Sequence, residues 1–351
     1  MRLLVTGGLG FIGSNLIRHL LAAYPTYEII NLDAETYAGH RENLADVVDG
    51  NPRYKLIVGR VEDQTVVDEI VSGKKFGTID GIINLAAESH VDRSIEDSSV
   101  FVKSNVLGTQ VLLEAAFKYG RKKDAQAPFK PEDFTIKYLQ VGTDEVYGSL
   151  GPTGLFTEET PLAPNSPYSS SKAGADMLCR AYYHTYGMPV VITRCSNNYG
   201  PYQHPEKLIP LFITNLLNGL KVPVYGDGLN VRDWLHVEDH AQAIDLAFHK
   251  GVAGEVYNVG GNNERTNMQI TKIILADLGK GEESINYVAD RLGHDRRYAI
   301  DSTKIQRELG WKPKHTFETG IVDTINWYKQ NTEWVKTVTK PHADKQLVGS
   351  K

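Results

Sequence analysis

Cysteine is scarce in this sequence, which has only Cys179 and Cys195 among its 351 residues. The two do not form the closely spaced pairs that bind structural zinc, so we expect no metal site. A chain of this length buries enough apolar surface to fold without disulfides. The cysteine content therefore predicts a protein of a reducing compartment, the cytoplasm.

Long apolar runs and a large excess of one charge are also missing. No segment approaches the roughly 18 consecutive apolar residues of a membrane helix, and Met1 and Arg2 lead directly into a predicted strand, leaving no room for a signal peptide. With 38 basic and 43 acidic residues, the net charge is -5. We therefore expect neither a membrane nor a nucleic acid as a partner, and a small anionic ligand would need a local basic pocket.

Strand and helix patterns alternate in the first part of the chain. Short β-branched runs predict strands at residues 2–6, 27–32, 54–58, 81–85, 136–141 and 190–194. Apolar residues at three- and four-residue spacing predict helices at 11–22, 65–71, 98–119 and 168–186. This alternation predicts an α/β fold with a doubly wound, parallel Rossmann sheet.

The pattern changes after residue 196, where proline and glycine become frequent. Helices are predicted at 207–217, 239–249, 268–278 and 316–330, and strands at 222–225 and 256–259. They predict a smaller, mixed C-terminal lobe. Residues 120–134 have the composition of a surface loop, and residues 332–351 show little periodicity and are predicted to form a tail.

Three glycines, Gly7, Gly10 and Gly13, lie between the first predicted strand and helix. Small residues at this turn let a dinucleotide's pyrophosphate approach the backbone N–H groups and the positive end of the helix. Asp33 follows the second strand, where a carboxylate accepts hydrogen bonds from the adenosine ribose and repels an additional phosphate. The combination predicts dinucleotide binding and favours NAD over NADP.

Tyr168 and Lys172 are four residues apart at the start of a predicted helix, so their side chains share one face. A nearby ammonium is expected to lower the tyrosine pKa toward neutrality, so that the phenol can take a proton from a substrate hydroxyl. Tyr119 and Lys123 repeat the spacing but lie beside the basic loop, where we expect solvated surface. Tyr168 also follows Thr143, which ends the fifth strand.

Asp144 and Glu145 come immediately after Thr143. Two turn acids are ordinarily solvated, but this pair lies beside the predicted catalytic group. In a buried cleft neighbouring carboxylates repel, which raises one pKa and allows one acid and one base to coexist. Simple dehydrogenation needs neither group. Proton abstraction beside a new ketone, followed by loss of hydroxide, needs both.

Several longer motifs occur together. They are TGGLGFIGS at 6–14, YAG at 37–39, AAESHVDRS at 86–94, TDEVYG at 143–148, YSSSK at 168–172, CSNNYGP at 195–201, PEKLIP at 205–210, RDW at 232–234 and GHD at 293–295. Over residues 1 to about 330 the sequence resembles the dTDP-glucose 4,6-dehydratases, a family of extended short-chain dehydrogenases/reductases.

The resemblance implies conversion of dTDP-glucose to dTDP-4-keto-6-deoxyglucose by an enzyme that uses and regenerates bound NAD. Tyr168 would deprotonate the C4 hydroxyl, and Thr143 would hydrogen-bond its oxygen. Glu145 would then remove the C5 proton, and Asp144 would protonate the departing C6 hydroxyl. Family members are typically homodimers joined by helices like those predicted at 98–119 and 168–186.

The resemblance also implies binding residues. For the cofactor these are Gly7, Gly10, Phe11, Ile12, Gly13, Asp33, Thr36, Gly39, Asp63, Ala86, Ala87, Tyr168, Lys172 and Asn198. For the nucleotide sugar they are Ser89, His90, Asn197, Lys207, Leu208, Pro223, Tyr225, Arg232, Asn267, Arg291, His294 and Tyr298. One position departs from the family: Arg60 stands where an aspartate usually bonds the adenine amine, and Asp63 replaces that aspartate only if the loop shifts.

The resulting domain prediction assigns residues 1–196 and about 232–262 to an NAD-binding Rossmann domain. Residues about 197–231 and 263–331 form the nucleotide-sugar-binding lobe. A 4-epimerase or decarboxylase on the same scaffold stays open as an alternative, although it would not need Asp144 and Glu145. A non-catalytic NAD-binding regulator would not need Tyr168 and Lys172.

Overall fold

A seven-stranded parallel sheet forms the centre of the protein, which a computed structural model describes at residues 1–290 and 295–340. In chain order its strands are Arg2–Thr6 (β1), Glu28–Asp33 (β2), Tyr54–Val58 (β3), Gly81–Asn84 (β4), Lys137–Thr143 (β5), Val190–Cys195 (β6) and Val256–Val259 (β10). Across the sheet the order is β10-β6-β5-β4-β1-β2-β3. The chain reverses direction across the sheet beside β1, which creates a crevice at the carboxyl ends of the strands.

Helices cover both faces of this sheet. They are Phe11–Ala23 (α1), Ala45–Val48 (α2), Gln64–Val71 (α3), Val91–Glu96 (α4), Ser99–Phe101 (α5), Gly108–Gly120 (α6), Pro167–Tyr186 (α7) and Val237–Lys250 (α9). Successive strand residues point to opposite faces. Leu3 and Val5 therefore join one buried cluster, with Leu16 of α1 and Ile244 of α9, whereas Leu4 joins another.

A smaller unit is built from two short sheets. Asn197–Tyr199 (β7), Val231–His236 (β9) and Glu264–Thr266 (β11) form one, and Val222–Tyr225 (β8) with Ile285–Val288 (β12) form the other. The remaining helices are Leu208–Leu217 (α8), Asn267–Asp277 (α10), Thr303–Leu309 (α11), Phe317–Gln330 (α12) and Thr332–Thr339 (α13). Phe212, Trp234, Ile274 and Tyr328 pack together in a third core.

The structure differs from the sequence-based expectation in several elements, and the short strands β7, β11 and β12 were not predicted. The predicted helix at 98–119 is divided into α5, a π-helical stretch Val102–Leu107 and α6. Residues 332–339 form a helix rather than a tail, because Val338 is buried and the Trp334 indole donates to Asn43 Oδ1 at 2.9 Å. The strand β9 belongs to a small sheet, whereas α9 and β10 join the central one, and the exact domain limits remain a prediction.

None of the helices within residues 1–290 and 295–340 has the length and apolarity of a membrane span.

Candidate active site

The turn between β1 and α1 is built so that a ligand can approach its backbone. Gly7 has a φ of +69°, and a Cβ there would lie 2.8 Å from the Ala86 backbone. A Cβ on Gly13 would lie 2.2 Å from the Gly7 carbonyl oxygen. No side chain caps the start of α1. Larger residues would close this turn, and the positive end of α1 faces the crevice.

Asp33 ends β2 at the edge of the same crevice. Its carboxylate accepts hydrogen bonds from the backbone N–H groups of Leu9, at 2.9 Å, and Glu35, at 2.8 Å. These bonds fix a buried negative group beside the glycine turn. A carboxylate in this position is suited to a ribose diol and opposes an additional phosphate.

A cavity of about 330 Å³ extends along the carboxyl ends of the strands. Thirteen of the fourteen predicted cofactor residues line it: Gly7, Gly10, Phe11, Ile12, Gly13, Asp33, Thr36, Gly39, Ala86, Ala87, Tyr168, Lys172 and Asn198. Asp63 does not line this cavity. Its carboxylate caps α3 by accepting from the Thr65 and Val66 N–H groups, and Arg60 and Glu62 line the cavity instead.

The predicted catalytic side chains meet at one wall of this first cavity. Thr143 ends β5, and Asp144 and Glu145 begin the 3-10 turn Asp144–Tyr147. Tyr168 and Lys172 lie on α7 and line the same cavity as Thr143. Residues on both sides of Tyr168 fix the start of α7, because Ser166 and Ser169 form a reciprocal capping box and Pro167 occupies the first turn.

The two neighbouring acids, Asp144 and Glu145, differ in burial. The Asp144 side chain is 2% exposed, and burial, with the nearby carboxylates of Glu145 and Asp233, raises its pKa well above the usual value. Glu145 is more accessible and also lines a second cavity. Burial thus favours the protonated form of Asp144, whereas its neighbour Glu145 is more open to a ligand.

The prediction that the Tyr168 pKa is lowered toward neutrality is wrong. Burial, followed by the charge of Glu145, raises the Tyr168 pKa well above its usual value. Lys172 Nζ donates to the Val141 carbonyl at 2.7 Å, and burial lowers the pKa of this amine. Desolvation therefore outweighs the stabilisation of the phenolate that the sequence led us to expect.

The second cavity, of about 260 Å³, adjoins the first and shares Ser89, Glu145, Asn197, Glu206 and Lys207 with it. Ten predicted substrate residues line it: Ser89, His90, Asn197, Lys207, Leu208, Pro223, Tyr225, Arg232, Asn267 and Tyr298. Arg291 and His294 lie outside the described residues.

Arg232 is a cation in the wall of the second cavity. Its guanidinium lies 4.4 Å from the Tyr298 ring centroid and donates to the Asp295 carbonyl at 2.9 Å. Burial lowers the Arg232 pKa, but a guanidinium stays charged at neutral pH. With Lys207 at the junction of the cavities, it offers positive charge to a diphosphate.

Sequence reasoning missed several lining residues. Phe212 and Trp234 line the second cavity, and Glu206 lines both. The motif PEKLIP indicated Lys207 and Leu208 as binding residues. Nothing in the sequence indicated a role for Glu206, which precedes them in the same motif.

Comparison with known proteins agrees with this geometry. A family model described as GDP-mannose 4,6 dehydratase matches residues 4–324. The dTDP-glucose 4,6-dehydratase of Xanthomonas campestris is 51% identical over 344 residues, with 95% of each chain covered. That of Escherichia coli is 48% identical, with 96% of this chain and 95% of the relative covered.

The chain belongs to the dTDP-glucose 4,6-dehydratase family. A solved member, DesIV from Streptomyces venezuelae, superposes with a TM-score of 0.88 at 50% identity, covering 96% of this chain and 100% of that one. It was crystallised with NAD bound. The UDP-glucose 4-epimerase of Thermotoga maritima gives a TM-score of 0.83 at 30% identity, covering 95% and 100% of the two chains. The chain therefore shares its fold with this epimerase but is less similar to it in sequence than to the dehydratases.

Proposed function

We propose that the protein is an NAD-dependent hydro-lyase that converts dTDP-glucose to dTDP-4-keto-6-deoxyglucose. The observation that carries this proposal is the pair of acids, Asp144 buried and Glu145 open to both cavities, beside Tyr168. Elimination of water requires an acid and a base close to the carbon that is oxidised. The dTDP-glucose 4,6-dehydratases that are 51% and 48% identical to this chain support the same reaction.

The first cavity fits NAD. Its close-packed glycine turn leaves room for a pyrophosphate, and Asp33 lies where the adenosine ribose would bind. When bound, NAD supplies the acceptor for the hydride from C4 and the donor of a hydride to C6. The side chains of the chain bind it, orient the sugar and move protons.

Three side chains transfer protons in the proposed reaction, and a fourth holds the substrate by a hydrogen bond. Tyr168 takes the proton of the C4 hydroxyl, and Thr143 holds that oxygen by a hydrogen bond. Once C4 is a ketone, the C5 proton is acidified and Glu145 removes it. Asp144, whose protonated form burial favours, donates its proton to the C6 hydroxyl, which leaves as water. Glu145 returns its proton to C5 when C6 receives hydride, and the proton taken up by Tyr168 balances the one that Asp144 lost.

The second cavity fits the nucleotide part of the substrate. Arg232 and Lys207 are placed for the diphosphate, whereas Leu208, Pro223 and Tyr225 provide an apolar surface for the base. Glu145 lies where this cavity meets the first, so a diphosphate held there would direct its sugar toward Thr143 and Tyr168.

The assembly that we propose is a homodimer joined by the region around α5 to α7. Apolar side chains are exposed along it: Ile95, Val100, Val102 and Leu107 precede α6, and Met177 lies on α7. Clustered exposed apolar residues favour a protein interface. We place the enzyme in the cytoplasm, where its two free cysteines would stay reduced.

The test is to incubate the purified protein and NAD with dTDP-glucose and to identify the product by NMR. The proposal expects a 4-keto sugar that carries a methyl group at C5. UDP-glucose serves as the control for base preference and should react more slowly. A sugar inverted at C4, with its C6 hydroxyl retained, would instead show an epimerase.

A further inference from the structure

Glu206 presents a carboxylate to both cavities. It lies between β7 and α8, next to Lys207, and its side chain is 17% exposed. A negative group here would repel the diphosphates that the two cavities are suited to bind. Direct contact with either ligand therefore does not account for its position.

The contacts of Glu206 join three segments that are distant in the sequence. Its Oε2 atom lies 3.6 Å from Arg93 Nη2 and 3.8 Å from His90 Nε2. Burial, followed by the charge of Glu206, raises the Tyr37 pKa, so the Tyr37 phenol faces this carboxylate as a neutral group. The Arg93 guanidinium stands 3.5 Å from the centroid of the Tyr37 ring, which closes the network.

Each of these segments borders a cavity. Thr36, Ala38 and Gly39, on either side of Tyr37, line the first cavity. His90 lines the second, and Ser89, whose carbonyl lies 3.4 Å from Lys207 Nζ, lines both. A ligand that restrains the segments at 89–93 and 204–207 therefore also restrains the segment at 36–39, through Arg93, which contacts both Glu206 and the Tyr37 ring.

We propose that Glu206 is a positioning residue that couples the two cavities, so that a nucleotide in the second cavity slows the release of NAD from the first. The inference rests on the proposed function, because a cofactor that accepts and returns the same hydride must stay bound until the cycle ends. Coupling between two sites is reciprocal, so bound NAD should tighten nucleotide binding by the same factor.

The test measures the rate of NAD release from the full-length protein with and without saturating dTDP. For the wild type we expect dTDP to slow release by about tenfold, within the usual range of such coupling. Glu206→Gln should reduce this ratio to below about twofold, because the neutral amide loses the charge that holds the Arg93 guanidinium. The matched control is Glu35→Gln, which removes a carboxylate from the first segment but leaves Glu206 in place, and should keep the wild-type ratio.

Tyr37→Leu provides a second variant in case Glu206→Gln is unstable. It removes the ring that the Arg93 guanidinium contacts and should also lower the ratio. A wild-type ratio of one, or a ratio unchanged in both variants, would overturn the coupling. A large loss of kcat in Glu206→Gln with an unchanged ratio would also overturn it, since that result assigns Glu206 to the chemistry. The assay follows only NAD and dTDP, so failure of the dehydratase proposal would be seen separately.

Discussion

Adjacent residues in the site, Asp144 and Glu145, differ in their surroundings more than in their chemistry. The Asp144 side chain is buried in the wall of the first cavity, and burial, followed by nearby carboxylates, raises its pKa, whereas Glu145 lines both cavities. A pair of acids whose environments separate their pKa values can act as donor and acceptor at one pH. This difference supports the proposal that Asp144 is the acid and Glu145 the base.

Replacing the two acids separately should stop the reaction at different points. Glu145→Gln should still oxidise C4 but should abolish exchange of the C5 proton with heavy water. Asp144→Asn should permit both oxidation and exchange and slow water loss by about a hundred- to ten-thousandfold, the usual contribution of a general acid. Because the acid form of Asp144 is required, water loss should decline as pH rises through its raised pKa. Identical defects in the two variants would refute the division of roles.

Tyr168→Phe should reduce C4 oxidation by about a hundred- to ten-thousandfold, the usual effect of losing a general base. Because the pKa of Tyr168 is raised, C4 oxidation by the wild type should become faster as pH rises, since the phenolate fraction of Tyr168 increases. Rapid-quench measurement of the first half-reaction tests both points. Tyr119→Phe is the control, since Tyr119 does not line either cavity. Equal losses in the two variants would show that the wrong tyrosine was chosen.

At the scale of elements, long patterns were predictable and short ones were not. The strands expected at 2–6 and 54–58 are confirmed, because β-branched runs there are bounded by turn residues. β7 and β11 have three residues each, which is too short to show alternation. The π-helical stretch Val102–Leu107 has no separate sequence signal, since its apolar spacing continues that of α6.

The site follows the same rule. Thr143, Asp144, Glu145, Tyr168 and Lys172 were predictable because each lies at a strand end or in one helical turn. The ionisation of Tyr168 was not, because desolvation depends on how completely the fold encloses it. The contacts of Glu206 were hidden for a similar reason, since they join residues far apart in the chain.

Asp245 links two helices, α1 and α9, that cover one face of the central sheet. His19 Nε2 lies 2.7 Å from its Oδ2, and Tyr24 donates to its Oδ1 at 3.0 Å. Burial opposes ionisation of Asp245, but hydrogen bonds from His19, His249 and Tyr24 hold its carboxyl pKa well below the usual value. The bond with Asp245 in turn raises the His249 pKa.

Asp245→Asn should therefore lower the free energy of unfolding by about 1–3 kcal/mol, the usual contribution of a hydrogen bond to a charged group. The part due to His249 is fully present below its unfolded pKa of about 6.5 and is lost as pH rises through the higher folded value. Urea unfolding at about pH 6 and about pH 9 should thus show a larger difference from wild type at the lower pH. The exposed Glu159→Gln should change little, and a larger effect at the higher pH would contradict this account.

At the scale of the whole molecule, the exposed apolar surface of residues 95–107 and α7 is expected to be covered by a second copy of the chain. Val102 is 53% exposed there. Val102→Asp should shift the molar mass in light scattering from dimer to monomer, because the new carboxylate would be buried without a partner. Leu220→Asp alters a residue that is 58% exposed elsewhere and should leave the mass unchanged. A monomeric wild type would contradict the proposed assembly.

The two cavities adjoin each other, and in the proposed function the sugar lies where they meet, near Tyr168 and Glu145. The central claim is that one oxidation at C4, a loss of water and one reduction at C6 occur there without release of an intermediate. The most direct measurement uses dTDP-glucose with deuterium at C4 and locates the label in the product by NMR. We predict deuterium in the C6 methyl group of a 4-keto product. Deuterium returned to C4 of an inverted sugar that still carries its C6 hydroxyl would contradict the account.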